Sequence, residues 1–302
     1  MMLTKKTIRI LIPVIFLFFL LPLKAGANTF KIPFKNSGHL ILIKARLNGK
    51  ERNFVFDTGA KTLVINKKYT DKATPGSGKK YKIRGIHGRV ANVSDQKIKK
   101  FQLGAIEKTD FIALVMKFSV MEKILGKPVY GLIGYDIFSD YDIFIDYENN
   151  SLTFIPEEEF MIFWNNNIVN QPFSFVDMIM NHHIPVVQAK AGEKRIHLGI
   201  DTGAARTLLD KNATDVIHYE FQDFGSRDLV GVENESQKTT SGKIRKISIG
   251  TQEYNNIEVL IKDLSHLNDN INESIDGLIG YDILGRQKTL ISYKNKKIVF
   301  IK

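Results

Sequence analysis

Phe56-Asp57-Thr58-Gly59-Ala60 (FDTGA) returns as Ile200-Asp201-Thr202-Gly203-Ala204 (IDTGA). Each copy ends an apolar run, NFVF in the first and HLGI in the second. A lone Asp-Thr-Gly arises by chance in about one chain in twenty of this length at average residue usage, and is most often a turn after a strand. Two copies with a fourth shared letter need another explanation. Gly131 to Ile137 (GLIGYDI) recurs letter for letter as Gly277 to Ile283, and residues 131–155 and 277–301 share 12 of 25 positions without a gap. The offset of 146 also carries Gly85 onto Gly231, Gly104 onto Gly250 and FIALV (111–115) onto IEVLI (257–261). Asp57 maps to Asp201 at an offset of 144, so two residues were gained or lost between DTGA and Gly85. Upstream, GHLILIKA (38–45) matches HHIPVVQA (182–189). The chain therefore holds two copies of one unit.

Both units read as all-β. Short apolar runs alternate with turn residues, as in HLILIKARLNGKERNFVFD, KKFQLGAIEKTDFIALV and DIFIDYENNSLTFI. Asn48-Gly49 and Asn149-Asn150 fall between such runs, where hairpin turns are expected. Helical periodicity is scarce, and short helices are expected after each Gly-Tyr-Asp, over 137–141 and 283–287. Many short strands with glycine turns predict a small barrel or sandwich per unit. The first lobe reads as 28–156, a linker as 157–171 and the second lobe as 172–302. The segment runs from Glu157-Glu158-Glu159 into Phe160 to Trp164 and reads as a linker or short helix whose aromatics pack on a lobe.

Residues 1–27 stand apart. Lys5, Lys6 and Arg9 precede an apolar run from Ile10 to Leu23, and Ala25-Gly26-Ala27 follows. A basic start, a short apolar run and an A-x-A site are the pattern of a secretory signal peptide cleaved after Ala27. A membrane span needs about 20 apolar residues, so no stable span is expected once the signal is removed. Without its four basic residues the net charge falls from +11 to +7. The remaining lysines are scattered, with no arginine-rich helix for nucleic acid. Cysteine is absent, which excludes disulfides, thiolate metal sites and a cysteine nucleophile. The expected location is the periplasm, the cell envelope or the medium of a bacterium.

Each unit thus carries an apolar pair before Asp-Thr-Gly, a glycine-bearing candidate hairpin tip and an apolar-apolar-Gly element (LIG, 132–134 and 278–280). In these three features, over essentially the whole chain beyond residue 27, it resembles the retropepsin-like aspartic peptidases. DTGA is the form of the motif in the retroviral enzymes. The resemblance implies two homologous β-barrel lobes related by a pseudo-twofold axis, a pepsin-like bilobal arrangement in one chain, working as a monomer. It implies hydrolysis of a peptide or protein substrate without cofactor or metal, by water between Asp57 and Asp201. Such chemistry needs one carboxylate to take a proton from water and one carboxylic acid to polarise the carbonyl. Two aspartates about 3 Å apart share one proton, and a twofold axis supplies the pair from one motif. A glycosidase-like pair fails on spacing, because its carboxylates stand about 5 Å or more apart. A non-catalytic module that holds a peptide or envelope component is the alternative.

By the same resemblance, Thr58 and Thr202 hydrogen-bond across the axis. Gly59 and Gly203 allow a tight backbone and close approach of substrate. Ala60 and Ala204 cannot donate a hydroxyl to the carboxylates, which points to a mildly acidic to neutral working pH. Gly85-Ile86-His87-Gly88 and Gly231-Val232 are the flap tips over the cleft. His87 reads first as an exposed tip residue and only second as a substrate contact. His182 and His183 lack a partner at metal spacing and are weak candidate ligands. One departure stands out. Where the retroviral enzymes have an arginine after the apolar-apolar-Gly, paired with an aspartate past DTGA, this chain has Tyr135 and Tyr281, with Lys61 and Ala205 after the motifs. Substrate positioning is therefore expected to differ.

Overall fold

The apolar runs that read as strands are strands, and several are apolar on both faces because each face packs against something different. In the computed structural model, which describes residues 28–70, 76–84, 90–218, 220–230, 236–268 and 274–302, each unit closes into a barrel. In the first lobe the described strands form a ring: Leu40–Leu47, Lys50–Phe56, Gly131–Ile133, Val64–Asn66, Ile106–Met116, Val90–Leu103, and back to Leu40–Leu47. The second lobe repeats the ring in the same order with Ile184–Ala191, Lys194–Ile200, Gly277–Ile279, Thr207–Asp210, Gln252–Lys262 and Ser236–Ile249. Strand alternation sorts the side chains. Ile41, Ile43, Phe54 and Phe56 fill the first barrel. Leu40, Leu42 and Val55, one residue out of phase, form a separate cluster outside it with Val64, Leu125 and Leu132. The second lobe divides Val187 and Leu209 from Ile184, Leu208 and Leu278 in the same way.

A second sheet joins the lobes. Its described strands run, all antiparallel, in the order Phe30–Ser37, Ser151–Pro156, Tyr141–Asp146, Lys288–Ser292, Lys297–Ile301 and Phe173–Asn181. The lobes meet where Tyr141–Asp146 pairs with Lys288–Ser292. Phe144 stands opposite Leu290, its own counterpart at the 146 offset, flanked by Ile145 opposite Thr289 and Ile143 opposite Ile291. A register centred on a self-equivalent pair places the pseudo-twofold axis through that pair. Lys288 reaches across toward Asp146 and Glu148, at 3.8 and 3.4 Å.

The segment between lobes forms a 3₁₀ turn, Glu157–Glu159, and a helix, Phe160–Asn167. Phe163 and Ile168 pack under the joining sheet against Leu290, Val299 and Ile301, and Trp164 meets Phe173 edge to face at 5.1 Å. The helices after Gly-Tyr-Asp begin two residues earlier than expected, at Tyr135–Phe138 and Tyr281–Leu284. The tyrosine is their first residue because Gly134 and Gly280, in extended conformation, hold the entry position. A helix at Ser119–Leu125 and a 3₁₀ turn at Ser265–Asn268 also occupy equivalent places, 146 residues apart. Residues 1–27 lie outside the described residues. Among the described residues no helix is long and apolar enough to cross a membrane.

Candidate active site

Each DTGA turn leaves the end of a barrel strand that runs parallel to its LIG element, with Phe56 beside Ile133 and Ile200 beside Ile279. The neighbouring strand fixes the aspartate backbone: Asp57 N donates to Ile133 O at 3.1 Å and Asp201 N to Ile279 O at 3.0 Å. The turns then meet on the axis. Thr58 N donates to Thr202 Oγ1 and Thr202 N to Thr58 Oγ1, both at 3.0 Å. Thr58 Oγ1 donates to Ile200 O and Thr202 Oγ1 to Phe56 O, both at 2.9 Å. Each threonine hydroxyl donates once and accepts once, so three buried polar groups of each lobe are satisfied by the other.

This clasp brings Asp57 and Asp201 together. Their side chains are hydrogen-bonded to each other, and Asp57 is only 8 % exposed. Gly59 N and Ala60 N donate to Asp57 Oδ1 at 2.8 and 3.0 Å, and Gly203 N donates to Asp201 Oδ1 at 2.8 Å. Burial first, and then the charge of Asp201, pushes Asp57 well above the usual carboxylate range. Burial raises Asp201 as well, against the backbone donors that favour its charged form. The pair therefore retains one proton where ordinary aspartates have lost theirs.

The two glycines also stand against the aspartates. A Cβ on Gly59 would lie 2.7 Å from Asp201 Cγ, and one on Gly203 would lie 2.4 Å from Asp57 Cγ. Each glycine makes room for the aspartate of the other lobe. Paired strands stand in both lobes where the arms of the expected flaps would be: Tyr81–Arg84 pairs with the start of Val90–Leu103, and Phe221–Val230 pairs with Ser236–Ile249. The expected tip residues Gly85, Ile86, His87, Gly88, Gly231 and Val232 lie outside the described residues. A cleft of about 490 Å³ spans both lobes above the aspartates. Leu40, Val55, Met116 and Leu125 line it on one side, Leu208, Leu260, Leu267 and Leu278 on the other, and Ile83 and Asp228 belong to the flap arms. The out-of-phase side chains of the barrel strands thus become the apolar walls of the cleft. Among the described residues no group of three or more His, Asp or Glu side chains is arranged to hold a metal ion.

Several residues at the site were not singled out from the sequence. Asp136 accepts from Thr62 Oγ1 at 2.5 Å and Leu63 N at 3.0 Å, and Asp282 accepts from Thr207 Oγ1 at 2.6 Å and Thr207 N at 3.0 Å. These carboxylates tie the chain leaving each DTGA turn to the Gly-Tyr-Asp element. Their exact repetition in GLIGYDI was the available signal. His183 Nε2 lies 2.8 Å from Gly59 O, and because a carbonyl only accepts, Nε2 carries the hydrogen. Burial pushes the His183 pKa below the usual range, with further contributions from the nearby charges of Lys61 and His182. Its counterpart His39 instead stacks on Tyr281 of the other lobe, at 4.5 Å. The departures at Tyr135 and Tyr281 become aromatic contacts across the lobes: Tyr135 packs on Tyr293 at 5.2 Å and Tyr281 on Tyr147 at 5.3 Å.

The comparisons with known proteins agree with this geometry. The sequence model of the family described as "Aspartyl protease" matches twice, over residues 43–137 and 187–283, once in each lobe. No curated protein matches the chain by sequence. Among solved structures, the chain is similar in fold to the aspartic proteinase from Irpex lacteus, with a TM-score of 0.55 and 10% identity, over 91% of this chain and 97% of that one.

Proposed function

Because the chain belongs to the aspartyl protease family, we propose that it is an exported endopeptidase in which water held between Asp57 and Asp201 attacks the scissile carbonyl of a peptide. The observation that carries this reading is the pairing of the two carboxyls at a cleft of about 490 Å³ that both lobes line. The carboxylate takes a proton from the water. The carboxylic acid donates to the carbonyl oxygen as the tetrahedral intermediate forms. On collapse, the proton taken from water goes to the leaving nitrogen, and a hydroxyl of the intermediate returns its proton to the other carboxylate as the carbonyl re-forms, so the pair again holds one proton. Substrate lies as an added strand between the flap arms and the cleft floor, with its apolar side chains against the leucine-rich walls. Both halves of the site are in one chain, so a monomer suffices.

The raised pKa of Asp57 extends the singly protonated state toward neutral pH. The pH–rate profile is therefore expected to be bell-shaped, with its maximum in the mildly acidic to neutral range. A maximum below about pH 3 contradicts this. A peptide with a hydroxyl-bearing statine in place of the scissile amide is expected to bind the wild-type protein and to lose most of its affinity for Asp201→Asn. Equal binding to both would remove the pair from the site of reaction. Export rests on residues 1–27. Protein recovered from the periplasm or medium of a bacterial host is expected to begin at Asn28, and an intact Met1 in the membrane fraction would overturn signal cleavage.

A further inference from the structure

The chemistry above uses the floor of the cleft and leaves the residues just past each DTGA turn without a role. Lys61 and Arg206 stand there, Lys61 as the counterpart of Ala205 and Arg206 as the counterpart of Thr62 in the strand register. Each precedes the threonine, Thr62 or Thr207, that donates to the Gly-Tyr-Asp carboxylate, and each lines the cleft. The second lobe goes further. A cavity of about 340 Å³ adjoins the cleft, shares Arg206 and Leu260 with it, and is also lined by Arg227, Lys243 and Glu258. Arg206 Nη1 lies 3.6 Å and Arg227 Nη2 3.8 Å from Glu258 Oε2. Charge-assisted hydrogen bonds are about 2.7–2.9 Å long, so this one carboxylate sits between two guanidiniums without closing a tight bond to either. The three cations exceed the one acid lining the cavity by two charges. The arginine side chains are 43% and 59% exposed, within reach of a ligand.

The first lobe does not repeat this cluster. At the 146 offset, Tyr81 stands in the place of Arg227 and Ile112 in the place of Glu258. Tyr81 pairs with Val93 just as Arg227 pairs with Thr239, so the equivalence holds in the strand register. The cationic cavity therefore makes the two ends of the cleft chemically different. Asp228 lines the cleft but not the cavity, so an acidic group of the substrate is favoured in the cavity over the cleft beside Asp228.

We infer that the Arg206–Arg227 cavity is a subsite for a carboxylate side chain of the substrate, so that this protein selects peptides with an apolar scissile pair and an Asp or Glu a few residues away on one side. The inference rests on the endopeptidase reading above.

The test is a set of peptides with one apolar core and a single Glu moved from four residues before the cleaved bond to four after it, each paired with its Gln analogue. At one position, on one side only, kcat/KM is expected to favour Glu over Gln by about 10-fold, as a charge-assisted hydrogen bond allows, and the ratio is expected to shrink with added salt. In Arg206→Glu/Arg227→Glu the preference at that position is expected to turn to Lys. The ratio does not depend on how much of the variant is folded. Equal cleavage of Glu and Gln peptides at every position, or an unchanged ratio in the double variant, overturns the subsite. If the wild type cleaves none of them, the endopeptidase reading fails. The subsite is then decided by fluorescence anisotropy of the same peptides: tighter binding of one Glu peptide supports it, and equal binding overturns it.

Discussion

Asp57→Asn is expected to lower peptide hydrolysis by roughly 10³-fold or more while making the protein more resistant to heat at pH 7. The loss follows from chemistry: an amide in place of the carboxyl leaves the pair unable to cycle a proton between water and leaving group. The gain follows from linkage. The folded-state pKa of Asp57 is raised by burial and by Asp201. Between the unfolded value, about 4, and the folded value, the native state holds a proton that the unfolded chain has released. Stability falls as pH rises through that window, and above it the wild type carries the full penalty. Asparagine has no charge to bury, and its Oδ1 still accepts from Gly59 N and Ala60 N. Melting curves are expected to show Asp57→Asn above wild type at pH 7 and level with it below about pH 4. A gain of the same size at both pH values, or a loss at pH 7, would contradict the burial of a shared proton. Asp201→Asn is expected to lose activity equally.

The second large effect lies in the clasp. Thr58→Val removes the hydroxyl that donates to Ile200 O and accepts from Thr202 N. Both groups are then buried without a partner, at a cost of about 2–4 kcal/mol. Thr58 is fully buried, so water does not reach them readily. For a chain of this length that cost lowers the melting temperature by about 5–12 °C. Hydrolysis is expected to fall by about 100-fold, because misplacing a catalytic pair by an ångström is costly. Thr58→Ser keeps the hydroxyl and is expected to retain most of both. Thr202→Val behaves alike, and the double variant is expected to cost less than the sum, since the four bonds share the two hydroxyls. Additive losses would mean that the two turns are held independently.

How much of this was legible in the sequence depends on what was repeated. DTGA and GLIGYDI repeat letter for letter, and each fixes a piece of backbone that both lobes need. The duplication can therefore be read directly from the sequence, while the barrels and the meeting of the DTGA turns follow only from the resemblance to the retropepsin-like peptidases. The Gly-Tyr-Asp carboxylates were repeated as plainly, yet Asp136 and Asp282 make their bonds to Thr62 and Thr207, more than 70 residues away. Nothing local marks such a partner. That Gly59 and Gly203 also leave room for an aspartate of the other lobe shows only in the three-dimensional pairing. Sequence spacing offers His183 only a metal-ligand role, and a weak one, since no partner stands at metal spacing. Its bond to Gly59 O comes from the hairpin that brings the start of the second lobe against the first. The joining sheet was hidden for a related reason. Strands such as DIFID and KTLIS alternate like any other, and their pairing across the axis depends on both lobes being folded.

The central claim is that the two DTGA turns form a single hydrolytic site. It is tested most directly by incubating the mature protein with a diverse peptide library from pH 3 to 8, beside Asp57→Asn and Asp201→Asn, and identifying new termini by mass spectrometry. The expected result is cleavage by wild type at internal bonds between apolar residues, and none by either variant. Wild type that cleaves nothing while still binding peptides would make the chain a binding module, and cleavage surviving in one of the two variants would show that the aspartates do not act as a pair.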